Sequence, residues 1–389
     1  MQIANFFYKL AQQLQRGAKD FLDVPVAQER AFLAQLPEPA SDVQRSYNQY
    51  LCQNFYRSRL YIWCLNFVSA GLFPFVLLVL LLKGCTLKRR KADFDAICDL
   101  GGFRDVIPEA LSKEFRLDYD HWFKNSSLSL QDVPFVCRTA AFRPLSCFFG
   151  LKCMLKVSYY SDMLRRYEPK TVVTHNEYAF SSSVLTAYCQ RRGVEHINVM
   201  HGEKLLRLRD TFFRFHRSYV WDEHYVKLFK QMRATKNNFI LYTPAAMCID
   251  VDKHQSVNDY ADVKYYLQVY NKEEITTIVA AMEQLKALGY TVKYRPHPRY
   301  SDVALLKTMV DEREVENPRK VGIATSVSNL RFAAGSFTTV LNQAYVSGKT
   351  VVMDDVTFPQ RMQVLKERLY LFAEPKERCC LLSEMVKGR

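Results

Sequence analysis

From Lys170 onward the chain alternates short β-branched apolar runs with helical stretches, and this alternation restricts the fold more than any other feature. Thr171-Val172-Val173-Thr174 reads as a buried strand. A helix over 181–192 follows, closed by Gly193, and then His196-Ile197-Asn198-Val199-Met200 as the next strand. Tyr219-Val220-Trp221 is a third strand, with a helix running to about Arg233. A second set repeats the grammar: a strand over 238–243, a helix over 272–288 ending at Gly289, and a strand over 290–294. Helices over 301–309, 326–332 and 338–347 come next, the last ending at Gly348, and then a strand over 350–353. Strand-helix-strand repeats of this kind build parallel sheets whose ligands bind beyond the strand C-termini. The expected fold is therefore α/β, with two Rossmann-like halves. The boundaries are a helical N-terminal region over 1–94, a first half over 95–237 and a second over 238–389. Residues 95–170 read as short helical stretches and loops, with an amphipathic helix over 151–166.

Residues 61–82 carry no formal charge and end in a run from Phe73 to Leu82. As a helix this stretch would reach about 33 Å, enough for a hydrocarbon core of about 30 Å. Asn66, Ser69, Gly71 and Pro74 weaken its first half and predict a kink. Lys83, Lys88, Arg89, Arg90 and Lys91 follow without an intervening acid, a pattern that binds anionic headgroups and marks the cytoplasmic side. Three readings stay open: a span, a helix lying in one leaflet, or a core helix. The membrane-associated readings place the protein on the cytoplasmic face of the cell membrane. A cleaved signal peptide is excluded, because 60 residues of polar, helical character precede the segment.

With 389 residues, 49% of them apolar, the chain can bury real cores, so disorder is excluded. Its 11 cysteines are odd in number and contain no CxxC pair, which reads as reduced thiols rather than a disulfide framework or a zinc site. The net charge of +14 has no helix-turn-helix, RNP-like or zinc-finger pattern beside it, so nucleic acid is not an expected partner.

Three loops at strand C-termini hold the candidate chemistry. Arg295-Pro296-His297-Pro298-Arg299 fixes an imidazole between two guanidiniums, a set suited to phosphate. Ser336, Thr338 and Thr339 open a helix whose hydroxyls and first N–H groups can meet an anion. His201 ends an inner strand, where an imidazole can act as base on an acceptor hydroxyl, with Glu177 and Asp222 at the ends of neighbouring strands. No Gly-rich fingerprint, Walker A or DxD metal motif is present, so neither a metal nor a cofactor is expected.

The ordered series His201-Gly202, Asp222, Ile240-Leu241-Tyr242-Thr243-Pro244, Arg295-Pro296-His297-Pro298, Ser336-Phe337-Thr338-Thr339, Gln343-Ala344 and Gly348-Lys349 resembles bacterial surface-polysaccharide transferases of the GT-B architecture. These are the capsule, lipooligosaccharide and teichoic-acid class, including the CDP-glycerol glycerophosphotransferase and polysialyltransferase-like families. The likeness covers about residues 165–375. It implies a central cleft between two halves, a nucleotide-activated sugar donor held by the C-terminal half, a glycan or lipid-linked acceptor, and metal-independent glycosyl transfer. His297 would contact donor phosphate, Thr338 and Thr339 would cradle it, and His201 would be the base or an acceptor-side group. The glycerophosphotransferase pattern usually has Asp at Ser336, Ser at Thr338 and Thr339, and Glu at Gln343. Those departures point away from a CDP-glycerol donor. The alternatives are a glycerol- or ribitol-phosphate transferase with a CDP-activated donor, and a non-catalytic membrane-bound scaffold of the polysaccharide machinery.

Overall fold

In the computed structural model the chain divides into two compact units, one running to His201 and again from Leu206 to Tyr242, the other holding Gly202–Leu205 and the chain from Thr243 onward. The structure describes residues 24–90, 92–100, 104–119, 125–254, 260–299 and 301–388. Lys91 of the basic cluster and residues 1–23 of the N-terminal region lie outside the described residues.

The first unit is built on strands β1 (Ala96–Asp99), β2 (Leu117–Asp118), β3 (Thr171–Thr174), β4 (Glu195–Val199), β5 (Arg217–Val220) and β6 (Phe239–Leu241). They pair in the order β2-β1-β3-β4-β5-β6, all parallel. Alternation along each strand splits the core into two layers. Ile97 and Val172 pack with Val157, Tyr160 and Leu164 of the helix Cys147–Tyr167 and with Val184 and Leu185 of the helix Ser182–Arg191. Cys98, Val173, Ile197 and Val199 pack on the opposite face with Val106 and Leu111. Each such fully buried aliphatic side chain contributes about 1.5–3 kcal/mol. β1 was expected as loop, because its apolar run is only Ala96-Ile97-Cys98 between two aspartates, too short to show a period. The strand expected to open the second set, β6, pairs with β5 in this first sheet.

The N-terminal helices are part of this unit. In the helix Asp42–Asn54, Ser46 Oγ accepts from Val184 N at 3.0 Å, and the guanidinium of Arg45 donates to Arg233 O at 3.1 Å. The apolar stretch forms one helix, Arg59–Cys85, with Ser58 Oγ capping Tyr61 N at 3.2 Å. Pro74 sits inside it without ending it. Phe73, Val76, Leu77, Leu80 and Leu81 pack into the layer formed by the helix Cys147–Tyr167. By length and composition the helix could cross a membrane, and Trp63, Phe67, Phe75, Leu78 and Leu82 along it are exposed.

The second unit has strands β7 (Ala261–Tyr266), β8 (Val292–Arg295), β9 (Leu330–Gly335), β10 (Thr350–Met353) and β11 (Cys379–Leu381), parallel in the order β11-β10-β9-β7-β8. The helix Lys272–Ala287 starts at a capping box, Asn271 Oδ1 accepting from Glu274 N at 2.9 Å and Glu274 Oε2 from Asn271 N at 2.8 Å. It stops at Gly289, whose φ of 92° only glycine adopts without strain. The short helix expected over 326–332 is instead the helix Ile323–Ser328 followed by β9. Asn329 ends that helix and Leu330-Arg331-Phe332-Ala333-Ala334 then runs between β10 and β7, where parallel pairing outweighs the weak strand preference of two alanines. The α/β expectation, with two parallel sheets, is what the structure shows.

Candidate active site

The parallel register of the first sheet sets Asp99, Thr174 and Asn198 side by side, so whatever follows them lies along one edge. Just past β3 and β4, the rings of His175 and His201 meet edge to face with centroids 4.4 Å apart. His201 Nδ1 lies 3.8 Å from Glu177 Oε1, with Glu177 fully buried and the His201 side chain one-fifth exposed. That distance is too long for a hydrogen bond, and the contact is an ion pair only with the imidazole protonated. Asp99, at the end of β1, faces His175: burial pushes its carboxyl up, opposed by His175, Lys156 and a hydrogen bond from Asn176. Two imidazoles and two carboxylates are therefore gathered on one sheet edge.

The loop holding Glu177 is clamped from the N-terminal region. Gln49 Nε2 donates to Glu177 O and to Arg209 O, both at 2.8 Å, and Gln53 Nε2 donates to Tyr178 O at 2.7 Å. One helical turn separates the two glutamines, so they share a face. The strand end carrying His201 is held in turn at Met200 O, which accepts from Trp221 Nε1 at 3.2 Å and from Tyr242 Oη at 3.3 Å. Asp222 has a different task. Its exposed carboxylate accepts from His224 N at 2.7 Å and caps the helix Glu223–Gln231. Sequence reasoning missed Asp99, Gln49 and Gln53; the i, i+4 spacing of the two glutamines on one amide-rich helix was a signal for the last two.

In the second unit, β8 delivers Arg295 to the sheet edge but turns its side chain inward. Its guanidinium pairs with Glu316 and donates to Val321 O at 2.9 Å, while Lys264 Nζ lies 2.7 Å from the other carboxylate oxygen of Glu316. Arg295 is thus committed to a buried ion triad rather than to the loop surface, where the sequence reading put it. Burial alone would push the Glu316 carboxyl up; Lys264, with hydrogen bonds from Ser326 and Arg295, outweighs this and holds it below the usual range.

His297 keeps the position the sequence suggested. Its Nδ1 accepts from Arg299 N at 3.1 Å, which puts the ring proton of the neutral form on Nε2. Burial, and then the Arg299 charge, lowers its pKa, so at neutral pH it is an uncharged Nε2–H donor. Beside it lies a cavity of about 470 Å³ lined by Pro296, His297, Asn317, Arg319 and Lys320, the two cations exposed. Arg299 is exposed as well.

β9 ends at Gly335, and the next turn carries the remaining candidates. Ser336 is 2% exposed and its Oγ has no hydrogen-bond partner among the described residues. Thr338 caps the helix Thr339–Val346, accepting from Val340 N at 3.4 Å, and Thr339, half-buried, is that helix's first residue. Gln268, just beyond β7, joins this turn to the His297 loop: its Nε2 donates to Phe337 O, and its carbonyl accepts from Ser301 Oγ at 2.8 Å. Ser301 Oγ in turn accepts from His297 N at 2.8 Å. Gln268 was not among the sequence candidates, since no motif surrounds it. Gln343 donates to Ala246 O at 2.9 Å, an amide contact to a carbonyl that a carboxylate there could not make. Among the described residues no group of three or more His, Cys, Asp or Glu is placed to hold a metal ion.

No family model matches the chain, and no curated protein matches it. Among solved structures it is similar to the wall teichoic acid polymerase TagF, in a crystal soaked with CDPG, at 8% identity and a TM-score of 0.38. The match covers 59% of this chain and 65% of that one.

Proposed function

We propose that the protein is a transferase of cell-surface polysaccharide assembly. It moves a sugar from a nucleotide-activated donor to a glycan or lipid-linked acceptor, without a metal, at the cytoplasmic face of the cell membrane. The observation that carries this reading is the Gln268 link, which ties the His297 loop to the Ser336–Thr339 turn on one sheet edge. An Nε2–H donor, a buried hydroxyl and a helix N-terminus then converge on one chemistry, an oxyanion such as a donor phosphate.

In the transfer step His201 takes the proton of an acceptor hydroxyl. The acceptor oxygen bonds to the anomeric carbon as the bond from that carbon to the phosphate oxygen breaks, and the nucleotide leaves with the electron pair. Buried Glu177, 3.8 Å from His201, stabilises the imidazolium as it forms. His297, Thr338 and Thr339 meet the charge on the leaving phosphate, and Arg319 and Lys320 add positive potential at the neighbouring cavity. Arg295 contributes by holding β8 rather than by touching substrate.

A thermal-shift panel of CMP, CDP, UDP and GDP tests the reading. A nucleotide bound at about 100 times its dissociation constant adds about 2.7 kcal/mol. A shift with CDP together with release of CMP from a CDP-polyol would assign polyol-phosphate transfer instead. No shift with any nucleotide would leave the scaffold reading and sink the transferase.

A further inference from the structure

The apolar helix Arg59–Cys85 has two apolar faces, and the structure covers one of them. Asn66, Ser69, Phe73, Leu77, Leu80 and Gly84 fall on the covered side. Asn66 Oδ1 accepts from Phe148 N at 3.0 Å, Leu80 O accepts from Leu128 N at 3.0 Å, and a Cβ on Gly84 would come within 1.8 Å of Leu128 O. From Asn66 to Gly84 this attachment runs about 27 Å, nearly the thickness of a hydrocarbon core. A helix docked along that whole length cannot cross a bilayer without taking its flank with it. That flank includes the Arg166–Asp162 ion pair and Ser127 bonded to Asp162. Dragging such groups into lipid is prohibitive beside leaving them at the surface.

The uncovered face is formed by Trp63, Phe67, Phe75, Leu78 and Leu82, all exposed and spaced for one side of a helix. Two more large exposed apolar side chains stand in the segments bonded to the helix. Leu145, 90% exposed, lies three residues before Phe148, and Leu130, 79% exposed, lies two residues after Leu128. The hydrogen bonds of Phe148 and Leu128 tie these two segments to the helix at Asn66 and at Leu80. Charge follows the same surface. There is no acidic residue between Asp42 and Asp93, nor between Asp132 and Asp162, the two stretches that pack together here. Arg57, Arg59, Lys83 and Lys88 border the first, and Arg138 and Arg143 the second. Two copies of this face would set like charges against each other, whereas an anionic lipid surface complements them.

We infer that this composite face docks in the plane of one anionic lipid leaflet, with Leu130 and Leu145 entering beside the helix, and that the helix does not span. The inference rests on the membrane location proposed above and decides how that location is achieved. The immersed side chains reach about 5–10 Å into the headgroup boundary.

The test uses the full chain and sedimentation with vesicles of phosphatidylglycerol and phosphatidylcholine, against phosphatidylcholine alone. Wild type should bind the anionic vesicles preferentially, and Leu130→Ser with Leu145→Ser should weaken binding at least about tenfold, since each loses a buried apolar side chain on docking. The melting temperature of that variant should be unchanged. Phe75→Trp and Leu82→Trp should be quenched by brominated lipids to the same shallow depth as Trp63. A Trp at 75 quenched near the bilayer centre, with 63 and 82 shallow, means a span and overturns the inference while the membrane location stands. Full binding by the double leucine variant overturns the composite face. Absence of wild-type binding to either vesicle removes the membrane location as well, and a nucleotide shift in the same preparation would show that the transferase reading survives it.

Discussion

The two parallel sheets use their carboxyl edges in opposite ways. In the first, ionisable side chains stay at the edge: His175 and His201 in ring contact, Glu177 beside His201 and Asp99 beside His175. In the second, the strand-end Arg295 turns into the core to pair with Glu316, and the edge keeps a neutral imidazole, hydroxyls and backbone donors, with Arg299, Arg319 and Lys320 exposed nearby. In the proposed reaction the first edge moves a proton and the second receives negative charge. A sequence motif reports the residue at a strand end but not which side of the strand end its side chain takes.

Mutations can break this contrast, and the largest effect is expected at His201. His201→Ala should leave the nucleotide-induced thermal shift intact while turnover falls on the order of a hundredfold to ten-thousandfold. Equal loss of nucleotide affinity would move His201 to the donor side.

Next comes the buried triad. Glu316→Ala leaves Lys264 and Arg295 buried without their anion and should destabilise by about 3–5 kcal/mol, measured by urea unfolding. Because Glu316 is held below the usual carboxylate range, its contribution to stability is fully present above that range and disappears as pH falls through the depressed native value. The wild type should therefore lose stability on acidification more steeply than Glu316→Gln, and parallel curves would show that the triad is not the source.

His297→Ala should weaken nucleotide binding and turnover together, by the roughly 1.5–3 kcal/mol of a hydrogen bond to a charged group. Titration calorimetry with the nucleotide chosen by the thermal panel reads it directly. An unchanged dissociation constant would detach the His297 loop from the donor.

The smallest effect sharpens the comparison from the other side. Asp222→Ala should cost about 1 kcal/mol of stability, the worth of a helix cap, with kcat unaltered. Asp222→Asn should restore the melting temperature. A turnover loss in both would return Asp222 to the chemistry that its cap geometry argues against.

Much of the fold was legible in sequence, and the failures have physical causes. β3 and β10 were read residue for residue, since β-branched runs bounded by polar residues have few other solutions. The helix Lys272–Ala287 carries its own start and stop in Asn271, Glu274 and Gly289. β7 was not read, because Ala261-Asp262-Val263-Lys264-Tyr265-Tyr266 places a lysine in a strand buried everywhere but at Asp262, which makes sense only once Glu316 is known to be beside it. The candidate residues divide the same way. His201 and Glu177 follow strands that sequence could pair, whereas the side chains of Gln49 and Gln268 donate to backbone carbonyls 128 and 69 residues away respectively.

Sequence alone determined the parallel α/β grammar, the position of the apolar segment and its basic border, and the residues that stand at strand ends. These follow from local period, capping and charge. Only the tertiary structure decided that Arg295 is a core residue, that Gln268 joins the His297 loop to the Ser336–Thr339 turn, and which side of the helix Arg59–Cys85 is covered. That last choice could not be read locally: with leucine and phenylalanine on both faces, burial of either is equally favourable until the helix Cys147–Tyr167 supplies a partner for one.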